Sequence, residues 1–317
     1  MLGTYKRTSK IKEFVQLKRD SIEKRKEELK KRNLEFTSLD SSRIVSEDKP
    51  SANKYGVNSG AIKIIHGHDF APRKFYMRKD AGEGDVPYLG FELEVDGATD
   101  DNVREKSAKN VLNILGSEVC YIVRDGSLSG NGFEIVSHPQ SVGIHKKNDY
   151  GRITEMLKEN GYREDVQSAG LHIHINRNFF GDDIDSQNMG ASKMMIMMDN
   201  NWNYVKKIAR RNFNSYCQKL NNGNNKNSMF GLYGTSQQIG KYAMLNVQHK
   251  NTYEFRIFKG TLNEDTLISS LEFVQNLAMV AKHHSIEECK QIKFYQIIEE
   301  FDCPSLVKFC EEHRIQY

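Results

Sequence analysis

Four short stretches of this chain place ionisable residues at alternate positions. Tyr88-Leu-Gly-Phe-Glu-Leu-Glu-Val-Asp96 sets Glu92 and Glu94 between Phe91, Leu93 and Val95, and Gly132-Phe-Glu-Ile-Val-Ser137 sets Glu134 between Phe133 and Ile135. Leu171-His-Ile-His-Ile-Asn176 carries His172 and His174, and Tyr253-Glu-Phe-Arg-Ile-Phe258 carries Glu254 and Arg256. Successive side chains of a strand point to opposite faces, so each stretch gathers its ionisable groups on one face and its apolar residues on the other. Paired in one sheet, the strands would present four carboxylates, two imidazoles and a guanidinium together. Such a face is unstable alone, because like charges repel and buried unpaired charge is costly. Divalent cations with oxygen ligands neutralise it and make it a site. The competing reading is the wet face of an antiparallel sheet. Those faces are usually mixtures of Lys, Thr and Ser, whereas this one repeats E-x-E, H-x-H and E-x-R.

The elements that must position these groups are legible in outline. The 317 residues, 38% hydrophobic and 28% charged, suffice for a substantial core. No apolar run approaches the roughly 20 residues needed to span a bilayer, and the N-terminus is too charged for a secretory signal. Five scattered cysteines without a C-x-x-C pair argue against a disulfide framework or zinc ribbon and for a reducing cytoplasm. The net charge of +4 is modest and gathers near the N-terminus, so it does not imply nucleic acid.

Residues 1–58 read as a basic helical extension and linker: a solvated helix with a thin apolar stripe, or a contact for an acidic partner. Residues 59–317 form the main domain. Ala61–Ile65 reads as a strand leading to His66-Gly-His68-Asp69, whose residue types suit a metal but lack a third ligand at a recognisable spacing. The segment 81–87 reads as a flexible entry to the first charged strand. A helix starts at Asp100 and stops at Gly116, Cys120–Val123 is a strand, and Asp125-Gly126 signals a hairpin in which Asp125 is a turn residue. Helices follow over 149–160, 186–213 and 264–282, with a strand at 241–246. Met194, Met195, Met197 and Met198 are core filler. Arg210 and Arg211 end the long helix, either as favourable charge at its C-terminus or as an anion site. Asn221–Ser228 reads as a polar loop. The fold class is α+β: a curved, mainly antiparallel sheet with helices on one face.

Gly90-Phe-Glu-Leu-Glu94, Asp125-Gly-Ser-Leu128 with Gly132–Pro139, Gly170–Asn176 and Tyr253–Thr261 together resemble the signatures of the amidoligase family. The segment His68–Arg73 is similar to the approach to the core in its phage-type members, and the resemblance spans about residues 60–280. It implies a glutamine-synthetase-like fold and an ATP- and Mg2+-dependent carboxylate–amine ligase, acting on a peptide, cell-wall or small-molecule acid and an amine. It further implies that Glu92, Glu94 and Glu134 hold one or both magnesium ions. His172 and Glu254 would join Glu92 at the metal nearest the nucleotide. His174 would lie by the phosphates, Arg256 would touch the transferred phosphoryl group, and Arg210 or Arg211 would hold a carboxylate. Nothing here matches a known ammonium pocket. Other readings are a phosphotransferase like the guanidino kinases, a non-catalytic protein keeping the fold, and a zinc hydrolase using His172 and His174. The last lacks the helical H-E-x-x-H pattern and leaves Arg256 without purpose.

Overall fold

The computed structural model describes residues 64–128, 131–163, 169–213, 215, 217–220 and 231–316. The basic extension and linker expected over 1–58 and the polar loop at 221–228 lie outside the described residues. Among the described residues, seven strands form one open sheet: β1 (Ile65–His66), β2 (Leu89–Val95), β3 (Cys120–Val123), β4 (Phe133–Ser137), β5 (Gly170–Asn176), β6 (Leu245–Asn246) and β7 (Thr252–Lys259). Their order is β1-β3-β4-β2-β5-β7-β6, antiparallel at every step except β1 with β3. The four charged stretches are therefore the contiguous centre β4-β2-β5-β7. Both edge strands are only two residues long, which limits the open backbone they offer to other chains.

Register follows from the alternation, because a one-residue slip would send every apolar side chain of a strand to the charged face. Glu94 faces Glu134 across β2 and β4, Glu92 faces His172 across β2 and β5, and His174 faces Glu254 across β5 and β7. Between Leu171 and Ile173 the pairing shifts, so that Phe258 and Phe255 oppose them and β7 carries one extra residue. Such a bulge bends the strand and re-aims its side chains, here beside Arg256. Behind the sheet, Phe91, Leu93, Phe133, Ile135, Leu171, Ile173, Ile175, Tyr253, Phe255 and Ile257 are buried. Each such side chain contributes roughly 1.5–3 kcal/mol of burial.

Ten helices are described: α1 (Asp101–Leu115), α2 (Val142–His145), α3 (Tyr150–Glu159), α4 (Ile184–Asn200), α5 (Trp202–Ala209), α6 (Gly231–Ile239), α7 (Glu264–His283), α8 (Ile286–Gln291), α9 (Phe294–Glu299) and α10 (Pro304–Glu312). Asp100 caps α1 through the Val103 N–H, and Gly116 ends it at φ 87°, a conformation that favours glycine. Met194, Met195, Met197 and Met198 of α4 are fully buried, as a filler role requires. None of the described helices is long and apolar enough to cross a membrane.

Several expectations change. The helix expected over 186–213 is two, α4 and α5, parted at Asn201, whose amide donates to the Met197 and Ile292 carbonyls at 2.9 and 3.0 Å. Arg210 then turns the chain in the left-handed region at φ 54°. The strand expected over 241–246 shrinks to Leu245–Asn246, because residues 240–242 form a 3-10 turn. The strand at 61–65 is seen as Ile65–His66. Helix α7 is enclosed nearly all round, with α4 and α10 packed against it. Its buried Glu272 is satisfied by Lys146 Nζ at 2.5 Å and the Leu306 N–H at 2.7 Å. The segment before β2 is pinned, since Glu83 accepts from the Gly143 and Asp80 N–H groups at 2.9 and 3.1 Å.

Candidate functional site

The polar face of β4-β2-β5-β7 brings together Glu92, Glu94, Glu134, His172, His174, Glu254 and Arg256. Glu92 is the hub. Its Oε2 lies 3.3 Å from His172 Nδ1 and its Oε1 lies 3.1 Å from His174 Nε2. His172 Nδ1 is also 3.5 Å from Glu254 Oε1 and 3.4 Å from Arg256 Nη1. Arg256 Nη1 donates to Glu254 Oε1, closing the cluster on the β7 side. Glu94 accepts the Gly170 N–H, and its other oxygen stands 3.9 Å from His172 Nε2.

Two sets of three side chains offer metal-ligand atoms within 4.8 Å of one another: Glu92, Glu134 and His172, and Glu92, His174 and Glu254. His174 thus joins Glu254 in the second set, Glu92 is common to both, and His172 of the first set lies 3.5 Å from Glu254 of the second. The carboxylate oxygens suit Mg2+ or Mn2+, and the imidazoles also suit transition metals such as Zn2+ or Fe2+. Two buried polar groups of opposite charge are left without partners among the described residues. Glu134 is 4% exposed, and no hydrogen bond or ion pair from the described residues reaches it. Arg256 Nε is buried without a hydrogen-bond partner among the described residues.

The electrostatics express the same imbalance. Burial first, then Glu92, Glu94, Asp125 and Glu254, push the Glu134 carboxyl up to about 10. Burial also raises Glu94, partly offset by His172 and the Gly170 N–H. Burial opposes ionisation of Glu92 and Glu254 too, but there it is outweighed. His174 and His172 hold Glu92 well below the usual range, and the His249 hydrogen bond with the neighbouring imidazoles and Arg256 holds Glu254 at about 2. For His174, burial disfavours the cation, yet the Glu92 carboxylate beside it lifts the ring to about 8. Neighbouring glutamates likewise raise Arg256 against its burial. Around Glu94 and Glu134 the face therefore lacks positive charge.

At Gly170 a side chain would crowd the cluster. A Cβ there would stand 3.1 Å from Glu94 Oε2, 3.2 Å from His172 Nε2 and 3.5 Å from Arg211 Nη1. Of the two arginines after α5, Arg210 donates to the Lys259 carbonyl at 2.7 Å, and Arg211 donates to the Arg256 carbonyl at 3.2 Å. Both turn back to the sheet; Arg211 is the one that reaches the border of the cluster.

Three participants were missed. His249, in the β6–β7 turn, lies 2.8 Å from Glu254 Oε2 and packs edge-on against His174 at 5.3 Å. Asn246 donates to the same Glu254 oxygen at 2.8 Å. Asp125 does form a local turn, accepting the Ser127 N–H at 2.6 Å, but it also gathers with His68 and Glu134 within 4.8 Å. Of the expected His66, His68 and Asp69, only His68 enters this group; the His66 ring stacks on Phe70 at 3.7 Å instead. The hairpin signal at Asp125-Gly126 pairs β3 with β4, through a connection of nine residues rather than a tight turn.

No family model matches the chain, and no curated protein is similar to it. Among solved structures it is similar to a bifunctional glutathione synthetase from Pasteurella multocida. The identity is 12% and the TM-score 0.41, with 73% of this chain and 45% of that chain covered. This chain therefore matches less than half the length of that structure.

Proposed function

We propose that the protein is an ATP- and Mg2+-dependent carboxylate–amine ligase with a glutamine-synthetase-like catalytic sheet. The observation that carries this is the convergence of four carboxylates, two imidazoles and one guanidinium on one face, with the Glu134 carboxyl buried and unpartnered among the described residues. A carboxylate and an amine do not join spontaneously in water, so the acid is first activated as an acyl phosphate. The amine then attacks the acyl carbon, phosphate leaves and the nitrogen loses a proton. The first step moves a phosphoryl group between anions, and its catalysis is chiefly positioning and charge neutralisation. Bound Mg2+ supplies positive charge opposite the polyphosphate oxygens.

This chain's own residues do the rest. Glu92, Glu134, Glu254, His172 and His174 would hold the cations, and Glu94, tied to the Gly170 N–H, fixes the edge of the site. Glu254 also holds Arg256 Nη1, which leaves the buried Nε to face the group being transferred. His249 and Asn246 steady the other Glu254 oxygen. The acid and amine are small molecules or peptides in this reading, and the amidoligase-type motifs support it.

A phosphotransferase would use the same cations and the same arginine, so the test must intercept the acyl phosphate. Purified protein with ATP, Mg2+ and a pool of carboxylic acids is incubated with hydroxylamine, which turns an acyl phosphate into a hydroxamate. Hydroxamate formed in step with ADP supports the ligase. ADP with a stable phosphorylated product that never yields hydroxamate rejects it.

A further inference from the structure

Helix α5 and the residues after it line an open cavity of about 530 Å³ with Asn203, Lys206, Lys207, Arg210, Arg211 and Asn212. Among the described lining residues four are cations and two are amides, and none is a carboxylate. Among the described residues no ion pair reaches Lys206, Lys207 or Arg211. Cations in a last helical turn offset the helix dipole, which is a sufficient reason for Lys206 and Lys207 to be tolerated. It does not explain Arg211. That residue lies beyond the helix, past a left-handed Arg210, and is drawn to the β7 backbone at Arg256. Its guanidinium borders Gly170, where Glu94 and His172 also converge. The cavity therefore opens beside the charged face, and its volume is that of a small-molecule site rather than of a groove for a polymer.

We propose that this cavity receives the acid substrate, and that the acid carries a second anionic group that does not react. Arg211 orients the reacting carboxylate at the border of the cluster, and Lys206 and Lys207 hold the distal carboxylate or phosphate. The inference rests on the ligase reading for the word substrate; the anion site itself stands on the cavity. A monoacid would leave the outer half of the cavity with unmatched positive charge. A dianion matches both halves, with charge-assisted hydrogen bonds at each end.

The test uses the full chain in Mg2+ and titrates acetate, succinate and phosphonoacetate by calorimetry. Succinate or phosphonoacetate should bind at least about tenfold more tightly than acetate, and which of them leads tells whether the distal group is a carboxylate or a phosphate. The double variant Lys206→Gln/Lys207→Gln alters two exposed side chains and should abolish that preference while leaving Mg2+-induced thermal stabilisation intact. Equal binding of acetate and the dianions overturns the proposal. So does a preference that survives the double variant, or binding confined to long polyanions such as heparin. Thermal stabilisation by Mg2+ reports separately on the ligase reading. A dianion preference without a Mg2+ response sinks that reading and keeps the anion site, and the converse sinks the anion site alone.

Discussion

Replacing Glu134 by Gln separates the site's need for a cation from its need for a particular shape. Glu134 sits opposite Glu94, buried, with its carboxyl pushed up to about 10. Without metal it therefore holds a proton at pH 7.5, and Gln is close to the shape and charge of that protonated acid. A carboxyl raised on folding contributes most at low pH, and its contribution falls as pH rises above the unfolded value near 4.3. Metal-free Glu134→Gln should thus melt at the same temperature as the parent or higher, with the advantage growing towards pH 8. Mg2+ reverses the ranking. At a hundred times its dissociation constant a cation stabilises the parent by about 2.7 kcal/mol. For a domain of this size that is a rise of about 5–11 °C. The variant lacks one anionic ligand of the Glu92, Glu134 and His172 set and should lose most of that rise. Differential scanning fluorimetry with EDTA and with graded Mg2+ reads both effects. A variant that is destabilised in EDTA, or that keeps the full Mg2+ response, would refute the reasoning.

Other consequences follow from the same geometry. Arg256→Ala and Glu254→Gln should each abolish ATP turnover with the circular dichroism spectrum unchanged, and unfolding of either would make these residues structural. Phe255→Asp should yield no folded protein, because its fully buried side chain faces the core; soluble, cooperatively melting protein would count against that placement. His145 is fully buried, with Nε2 3.0 Å from the Leu89 carbonyl oxygen and Nδ1 2.8 Å from Tyr150 Oη, and burial lowers it to about 4. The folded pKa lies below the unfolded value of about 6.5, so stability is full above pH 6.5 and declines by up to about 3 kcal/mol as pH falls to 4. Chemical denaturation across that range should show the decline, and His145→Gln should flatten it.

The centre of the sheet was legible because a period of two is a local property. Glu92, Glu94, Glu134, His172, His174, Glu254 and Arg256 could be assigned to one face without knowing how the strands paired. What depended on pairing was not legible. The bulge that re-aims Arg256 arises only when β7 meets β5, and Glu92 becomes the hub only when β2 lies between β4 and β5. Asp125 satisfies a turn locally, so nothing in its neighbours signals the approach of Glu134 and His68. His249 stands in a polar turn between a two-residue strand and β7, too short an element for periodicity to register. The break at Asn201 did leave a trace, since Asp199-Asn-Asn201 is a run of weak helix formers, but the apolar stripe on either side masked it.

The measurement that bears most directly on the central claim is ADP release by the purified protein with Mg2+, acids and amines, against Glu254→Gln. The account predicts release that needs Mg2+, a carboxylate and an amine together, and that the variant lacks. Release that is indifferent to Mg2+, or failure to bind ATP at all, would contradict it.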